Sequence, residues 1–225
     1  MKTEILPSKR STVLRKNKSQ SLRITLDQKN LRNIMLISGT SFIFENLSDS
    51  DLIISPNDHY MIIYNGNNEL KITYNQDVSN HDITYNPYKY ENSEKVNFKA
   101  NFFEEKYKIP EEYIETLPKW YSFKFTYPKY NLIFIKPELG FSIQTHQLRN
   151  ETWEVIEGSP IIIINNKVYY NIKKGMRFQN PINSYHSIIN PSKHSEDFVL
   201  LKETWSGTFD EKDIKRIFNP NKYLD

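Results

Sequence analysis

The sequence contains no cysteine. That absence removes disulfides, thiolate metal ligands and cysteine nucleophiles together. No apolar run approaches the roughly eighteen residues a membrane-crossing helix needs, and the N-terminus carries no apolar signal-peptide core. A cytoplasmic protein without a membrane partner is expected. Glycine is scarce, with six in 225 residues, so Asn and Asp, which tolerate the left-handed backbone region, must carry many turns. No glycine-rich nucleotide loop occurs, which argues against a nucleotide-binding domain. What the chain does have is aromatic bulk, 14% of residues, enough to supply much of a core.

The net charge of +3 is nearly balanced, but the first 23 residues set Lys2, Lys9, Arg10, Arg15, Lys16, Lys18 and Arg23 against Glu4 alone. Such a cluster reads either as a nucleic-acid contact or as a solvated terminus. We take residues 1–20 as a basic, flexible tail and do not expect a nucleic-acid partner. Beyond it, short β-type runs follow one another at 41–47, 51–55, 60–64, 121–127, 131–136, 160–165 and 167–172. Asn165-Asn166 reads as a hairpin turn. Helix signals are confined to 110–117 and 210–218, each with acidic residues in its first turn. The span 79–118 reads as a polar, Tyr- and Asn-rich connector, leaving 21–78 and 119–225 as the folded halves.

The two halves resemble each other. A gapless alignment of 22–46 with 141–165 sets Ile24 on Ile143, Ile37 on Ile156, Gly39 on Gly158, Ile43 on Ile162 and Asn46 on Asn165. Long-period similarity takes precedence over local readings. On this alignment Thr25, Asp27, Arg32 and Met61 stand where the C-terminal half has Gln144, His146, Glu151 and His186. Arginine and methionine do not hold a hard divalent ion, so the N-terminal half is expected to be metal-free.

Those four C-terminal residues carry the chemistry. Gln144 and His146 are two apart, so on a strand they face one side. Glu151 follows on the next strand, and His186 sits just past the Pro181-Ile-Asn183 turn. An amide oxygen, two imidazoles and a carboxylate can then converge on one divalent ion. The mixed N/O set suits Zn foremost, with Mn, Fe, Co or Ni as alternatives.

The pattern resembles the cupin superfamily. Gln144-x-His146-x4-Glu151-x6-Gly158 is similar to the first cupin motif, with Glu138 and Gln144 where most members have glycine and histidine. Gly175-x5-Pro181-x-Asn183-x2-His186-x3-Asn190 is similar to the second, with Asn183 in place of its middle glycine. Within the superfamily, Gln144, His146, Arg149, Glu151 and Trp153, with the ending Glu203-x3-Gly207…Glu211-x-Asp213-Ile-x-Arg216, resemble the cupin domain of type II mannose-6-phosphate isomerases. The resemblance covers about residues 130–223. Departures stand at Gln147-Leu148, Thr152 and Asn219.

The resemblance implies an all-β cupin (double-stranded β-helix, jelly-roll) barrel, arranged with the internal repeat as a bicupin with a degenerate N-terminal half. It further implies a metal-dependent aldose–ketose isomerase acting on a small sugar phosphate, mannose 6-phosphate to fructose 6-phosphate, in nucleotide-sugar and glycan synthesis. Gln144, His146, Glu151 and His186 would hold the metal. Arg149 and Glu151 would act in catalysis, and Arg149, Lys202 and Arg216 would bind the substrate. Another sugar or nucleotide-sugar isomerase or epimerase, or a non-catalytic sugar-binding cupin, is the alternative. A homodimer is the candidate assembly.

Overall fold

A computed structural model describes residues 2–45 and 47–222. The Asn46 end of the sequence alignment, and the last three positions of the 119–225 span, lie outside the described residues. The chain forms two compact units: Met1–Asn86 with Asn165–Val168, and Pro87–Ile164 with Tyr169–Asp225.

The first unit contains β1 (Lys2–Leu6), β2 (Leu14–Lys16), β3 (Leu22–Leu26), β4 (Ile34–Ser38), β5 (Ser41–Ile43), β6 (Asp51–Ile54), β7 (His59–Tyr64), β8 (Leu70–Tyr74) and β9 (Asp82–Tyr85). They make two antiparallel sheets, ordered β1-β8-β3-β6 and β5-β4-β7-β2-β9. The expected flexible tail is therefore wrong. β1 pairs with β8 along its whole length, β2 is bracketed by β7 and β9, and Leu6 and Leu14 are buried. The basic residues misled because charge count hides position. Lys16 and Lys18 point out to solvent, Lys9 occupies a turn at φ 56°, and the intervening leucines point in.

The second unit contains α1 (Ala100–Tyr107), β10 (Glu115–Pro118), β11 (Ser122–Thr126), β12 (Asn131–Ile135), β13 (Ile143–Thr145), β14 (Arg149–Glu157), β15 (Ile161–Ile164), β16 (Lys167–Tyr169, whose first two residues group with the first unit), β17 (Arg177–Asn180), β18 (His186–Ile189), β19 (Val199–Gly207) and β20 (Lys215–Phe218). One sheet runs β10-β11-β12-β19-β14-β17 and the other β20-β13-β18-β15. Ile133, Ile135, Trp153, Val155, Val199 and Leu201 from the first face Ile162 and Ile188 from the second, closing a core between them. This is the expected all-β cupin barrel. Neither expected helix forms. The span 110–117 turns at Glu112, φ 74°, and ends in β10; 210–218 holds one 3₁₀ turn and then β20. An acidic first turn marks a helix start only when an apolar face follows to be buried. Among the described residues no helix is long and apolar enough to cross a membrane.

Strand order relates the units more securely than the gapless alignment does. β12-β19-β14-β17 repeats β1-β8-β3-β6, and β13-β18-β15 repeats β2-β7-β4. Register then sets Arg15, paired with Tyr60, against Gln144, paired with His186. Leu22, paired with the last residue of β6, answers Glu151, paired with the last residue of β17. The N-terminal equivalents are thus Arg15, Leu22 and Tyr60, replacing the Thr25, Arg32 and Met61 of the alignment. An arginine, a leucine and a tyrosine make no better cation site.

The span 79–118 also differs from a plain connector, because α1 docks Phe103 on the outer face of the first sheet. There Phe103 is fully buried and meets Phe134 at 4.5 Å, Phe123 at 5.0 Å and Phe198 at 5.3 Å between ring centroids. Phe103→Ala is expected to cost about 3–5 kcal/mol, read from the urea midpoint. An unchanged midpoint would mean the helix is not part of the cooperative unit.

Candidate metal centre

Two motif positions usually held by glycine keep the backbone shape without it. Glu138 sits at φ 60° and Asn183 at φ 64°, alongside Gly158 and Gly175 at φ 86° and 85°. Side chains in this region are strained, so these turns are fixed by their surroundings. Asn183 N–H donates to the carbonyl of His146 at 2.7 Å, tying the second motif to the first. The Asp213 carboxylate accepts from the amides of Gln147 and Leu148 at 2.9 and 2.8 Å. The tail thereby clamps the turn between His146 and β14.

Three ligand types meet inside this frame. His146 follows β13, Glu151 lies on the inward face of β14 and His186 opens β18; one ligand atom from each lies within 4.8 Å of the others. All three are at most 3% exposed. His186 Nδ1 stands 3.0 Å from the Ser184 carbonyl, which can only accept. Nδ1 therefore carries the proton and Nε2 presents its lone pair. That lone pair points at Glu151 Oε2, 3.6 Å away. Arg149 Nη2, which can only donate, stands 3.2 Å from His146 Nε2. The same His146 Nε2 lies 3.1 Å from Glu151 Oε1.

The His186 Nε2 lone pair facing a carboxylate oxygen with no proton between them calls for a cation. A divalent ion with ligand bonds of about 2.0–2.2 Å sets adjacent ligand atoms about 3.0–3.6 Å apart; the two imidazole–carboxylate contacts, 3.1 and 3.6 Å, have that spacing, and the set as a whole lies within 4.8 Å. Glu151 Oε2, His186 Nε2 and His146 Nδ1 are buried without a hydrogen-bond partner, as are both amide atoms of Asn180, which pairs with Glu151 across the sheet. Orphaned buried polar atoms are rare and costly. The residues fit a divalent metal.

The charges agree. Burial alone would push the Glu151 carboxyl up, but the His146 hydrogen bond and the charges of His186, His146 and Arg149 outweigh it and hold it at about 2. Burial holds His186 down at about 4, against the pull of Glu151. Near neutrality the site is one carboxylate and a neutral His186, the forms that bind metal.

A pocket of 80 Å³ is lined by Glu151, Gln144, Arg149, Glu203, Lys119, Lys124 and Arg216, and meets the His146–Glu151–His186 set at Glu151. Gln144 accepts from Ser142 Oγ at 2.8 Å and lines this pocket; Arg216 stands exposed at its mouth, paired with Gln144 across the sheet. Arg149 is buried and engaged through all three nitrogens: Nε with Glu151 at 2.7 Å, Nη1 with the Asp210 carbonyl at 2.9 Å, and Nη2 with His146. It also lies 4.6 Å from the Phe209 ring centroid.

Lys202 is not in the pocket. Its neighbours Leu201 and Glu203 point inward, so strand alternation turns it out, and its ammonium lies 4.5 Å over Tyr130. Sequence reasoning missed Lys119, Lys124 and Glu203. The phase of β19, set by Val199 and Leu201, was the signal that would have found Glu203. It is buried at the centre of three strands, with Asn131 Nδ2 donating to Oε1 at 2.7 Å and Trp153 Nε1 to Oε2 at 3.1 Å.

Residues 122–219 match the family model described as mannose-6-phosphate isomerase C-terminal. Solved structures similar to the chain include three of low identity. The plu4264 protein of Photorhabdus luminescens is 24% identical over 37% of this chain and 63% of its own, with a TM-score of 0.30. The cupin domain of Schizosaccharomyces pombe Cnp3 is 16% identical over 39% and 65%, TM-score 0.33. The capsular polysaccharide assembling protein CapF of Staphylococcus aureus is 17% identical over 46% and 33%, TM-score 0.38. The chain spans less than two thirds of the length of each. No curated protein sequence matches significantly.

Proposed function

We propose that the protein, whose residues 122–219 match the mannose-6-phosphate isomerase C-terminal family model, is a metal-dependent sugar-phosphate isomerase, interconverting mannose 6-phosphate and fructose 6-phosphate. The observation that carries this reading is the buried His146–Glu151–His186 set, whose carboxylate lines a pocket with cationic walls. Aldose–ketose isomerisation moves a proton between adjacent carbons while negative charge gathers on the carbonyl oxygen. A divalent ion held by His146, Glu151 and His186, with Gln144 as the fourth donor, supplies Lewis-acid polarisation of that oxygen.

The chain's own groups divide the remaining work. Arg149, committed to Glu151 and His146, orients the ligands and is a positioning residue. The phosphate falls to Lys119, Lys124 and Arg216. The small cavity admits the reacting carbons, while the phosphate end lies at the mouth, where Arg216 is exposed.

Metal analysis of the purified protein, followed by a coupled assay for fructose 6-phosphate, tests the reading. Metal without turnover would redirect it to another sugar or nucleotide-sugar isomerase or epimerase. No metal would leave a non-catalytic sugar-binding cupin. His186→Ala is expected to abolish metal binding while leaving the barrel folded, since the core around Trp153 and Val155 remains. Unchanged metal stoichiometry in that variant would refute the ligand assignment.

A further inference from the structure

Glu203 takes no part in holding the cation, yet it is the carboxyl best placed to meet a substrate. It lines the pocket beside Glu151. Its two flanking strands each supply one fixed donor, Asn131 from β12 and Trp153 from β14. Glu151 pairs with Trp205 and Glu203 pairs with Trp153, so the two carboxyls are diagonal neighbours on one sheet face, about 7–8 Å apart between backbones.

We propose that Glu203 carries the proton between the two reacting carbons of the sugar phosphate, an inference resting on the isomerase reading above. As carboxylate it removes the proton from C2 of the aldose. The C2–H electron pair becomes the C1–C2 π bond, and the carbonyl pair moves onto O1. The carboxyl then returns that proton to C1, the O2–H proton passes to O1, and C2–O becomes the new carbonyl. No oxidant or reductant is needed.

The surroundings of the two acids separate their roles. Glu151 is too weak a base, tied to Arg149 and His146 and held at about 2; its expected part in proton relay passes to Glu203. Burial first, and the Glu151 charge second, push Glu203 up to about 7, against the Asn131 and Trp153 hydrogen bonds and the charge of Lys124. A carboxyl of that strength can both take and return a proton near neutral pH.

Glu203→Gln tests this cleanly. Asn131 Oδ1 is buried without a partner, so a flip of the Asn131 amide lets it accept from the new Gln N–H while Trp153 keeps its acceptor. In the zinc-loaded full chain, Glu203→Gln should keep its metal and its fold while kcat falls about 10²–10⁴-fold with KM little changed. Glu203→Asp should retain part of the rate. Wild-type kcat/KM should rise with pH along a limb that Glu203→Gln lacks. In the metal-free protein, the infrared band of a protonated carboxyl should fade through a midpoint of about 7 and be missing from Glu203→Gln. A Glu203→Gln variant with wild-type turnover, or one that loses activity together with its metal, overturns the proposal alone. A wild type inactive on sugar phosphates overturns the isomerase reading and this inference with it.

Discussion

Replacing Glu151 by alanine should strip the second unit of its cation and destabilise it by about 3–5 kcal/mol. The size follows from what the carboxylate leaves behind. Arg149 is 3% exposed, and its Nε loses a 2.7 Å charge-assisted acceptor. Only the Asp210 carbonyl and the His146 ring remain beside a buried guanidinium. Glu151→Gln, which keeps an oxygen for Nε but removes the charge, should lose metal affinity at a smaller cost in stability. Urea unfolding followed by tryptophan fluorescence, with chelator and with added zinc, separates the two losses. If the alanine variant unfolds at the wild-type midpoint in chelator, Arg149 is solvated and the ligand set is not the closed site described.

Glu203→Gln should make the metal-free protein more stable in alkaline solution, by about 3 kcal/mol above pH 7. The direction comes from proton counting. The unfolded chain releases this proton near the ordinary 4.5, whereas the folded chain holds it to about 7. Between those values the unfolded state binds fewer protons, so stability falls as pH rises, and the penalty is complete above the folded value. The amide never ionises and escapes that penalty. Glu151 works in the opposite sense: its carboxyl is held at about 2, so its contribution is present above 4.5 and lost as pH falls toward 2. Thermal unfolding of both proteins from pH 4 to 9 in chelator should give curves that diverge above pH 5. Parallel curves would show that Glu203 ionises as freely folded as unfolded. A variant more stable yet inactive is what a strained functional group produces.

Much of the site was readable because its spacing is tied to strand geometry. His146, Glu151 and His186 could be picked out since turns of fixed length return the chain to one place. Substrate-side residues were harder. Lys202 and Glu203 are adjacent, and one step along a strand changes faces, so choosing between them required the phase of β19. Lys119, in the turn after β10, and Lys124, on β11, belong to no motif. The first twenty residues misled for the same reason: net charge says nothing of which residues point inward. The gapless alignment of the halves is out of step with the strand order they share, because isoleucines recur often enough to align on the wrong strand, whereas hydrogen-bonded neighbours do not.

The bond that sets the proton on His186 comes from the main chain. A side-chain acceptor could be lost to a single substitution, but the Ser184 carbonyl is there whichever residue occupies position 184. The imidazole's orientation is thus insulated from drift at its own support. Its exposure to change lies in the Pro181–Asn183 bend, where a different backbone path would swing the carbonyl away and unsettle a ligand that had not itself been altered.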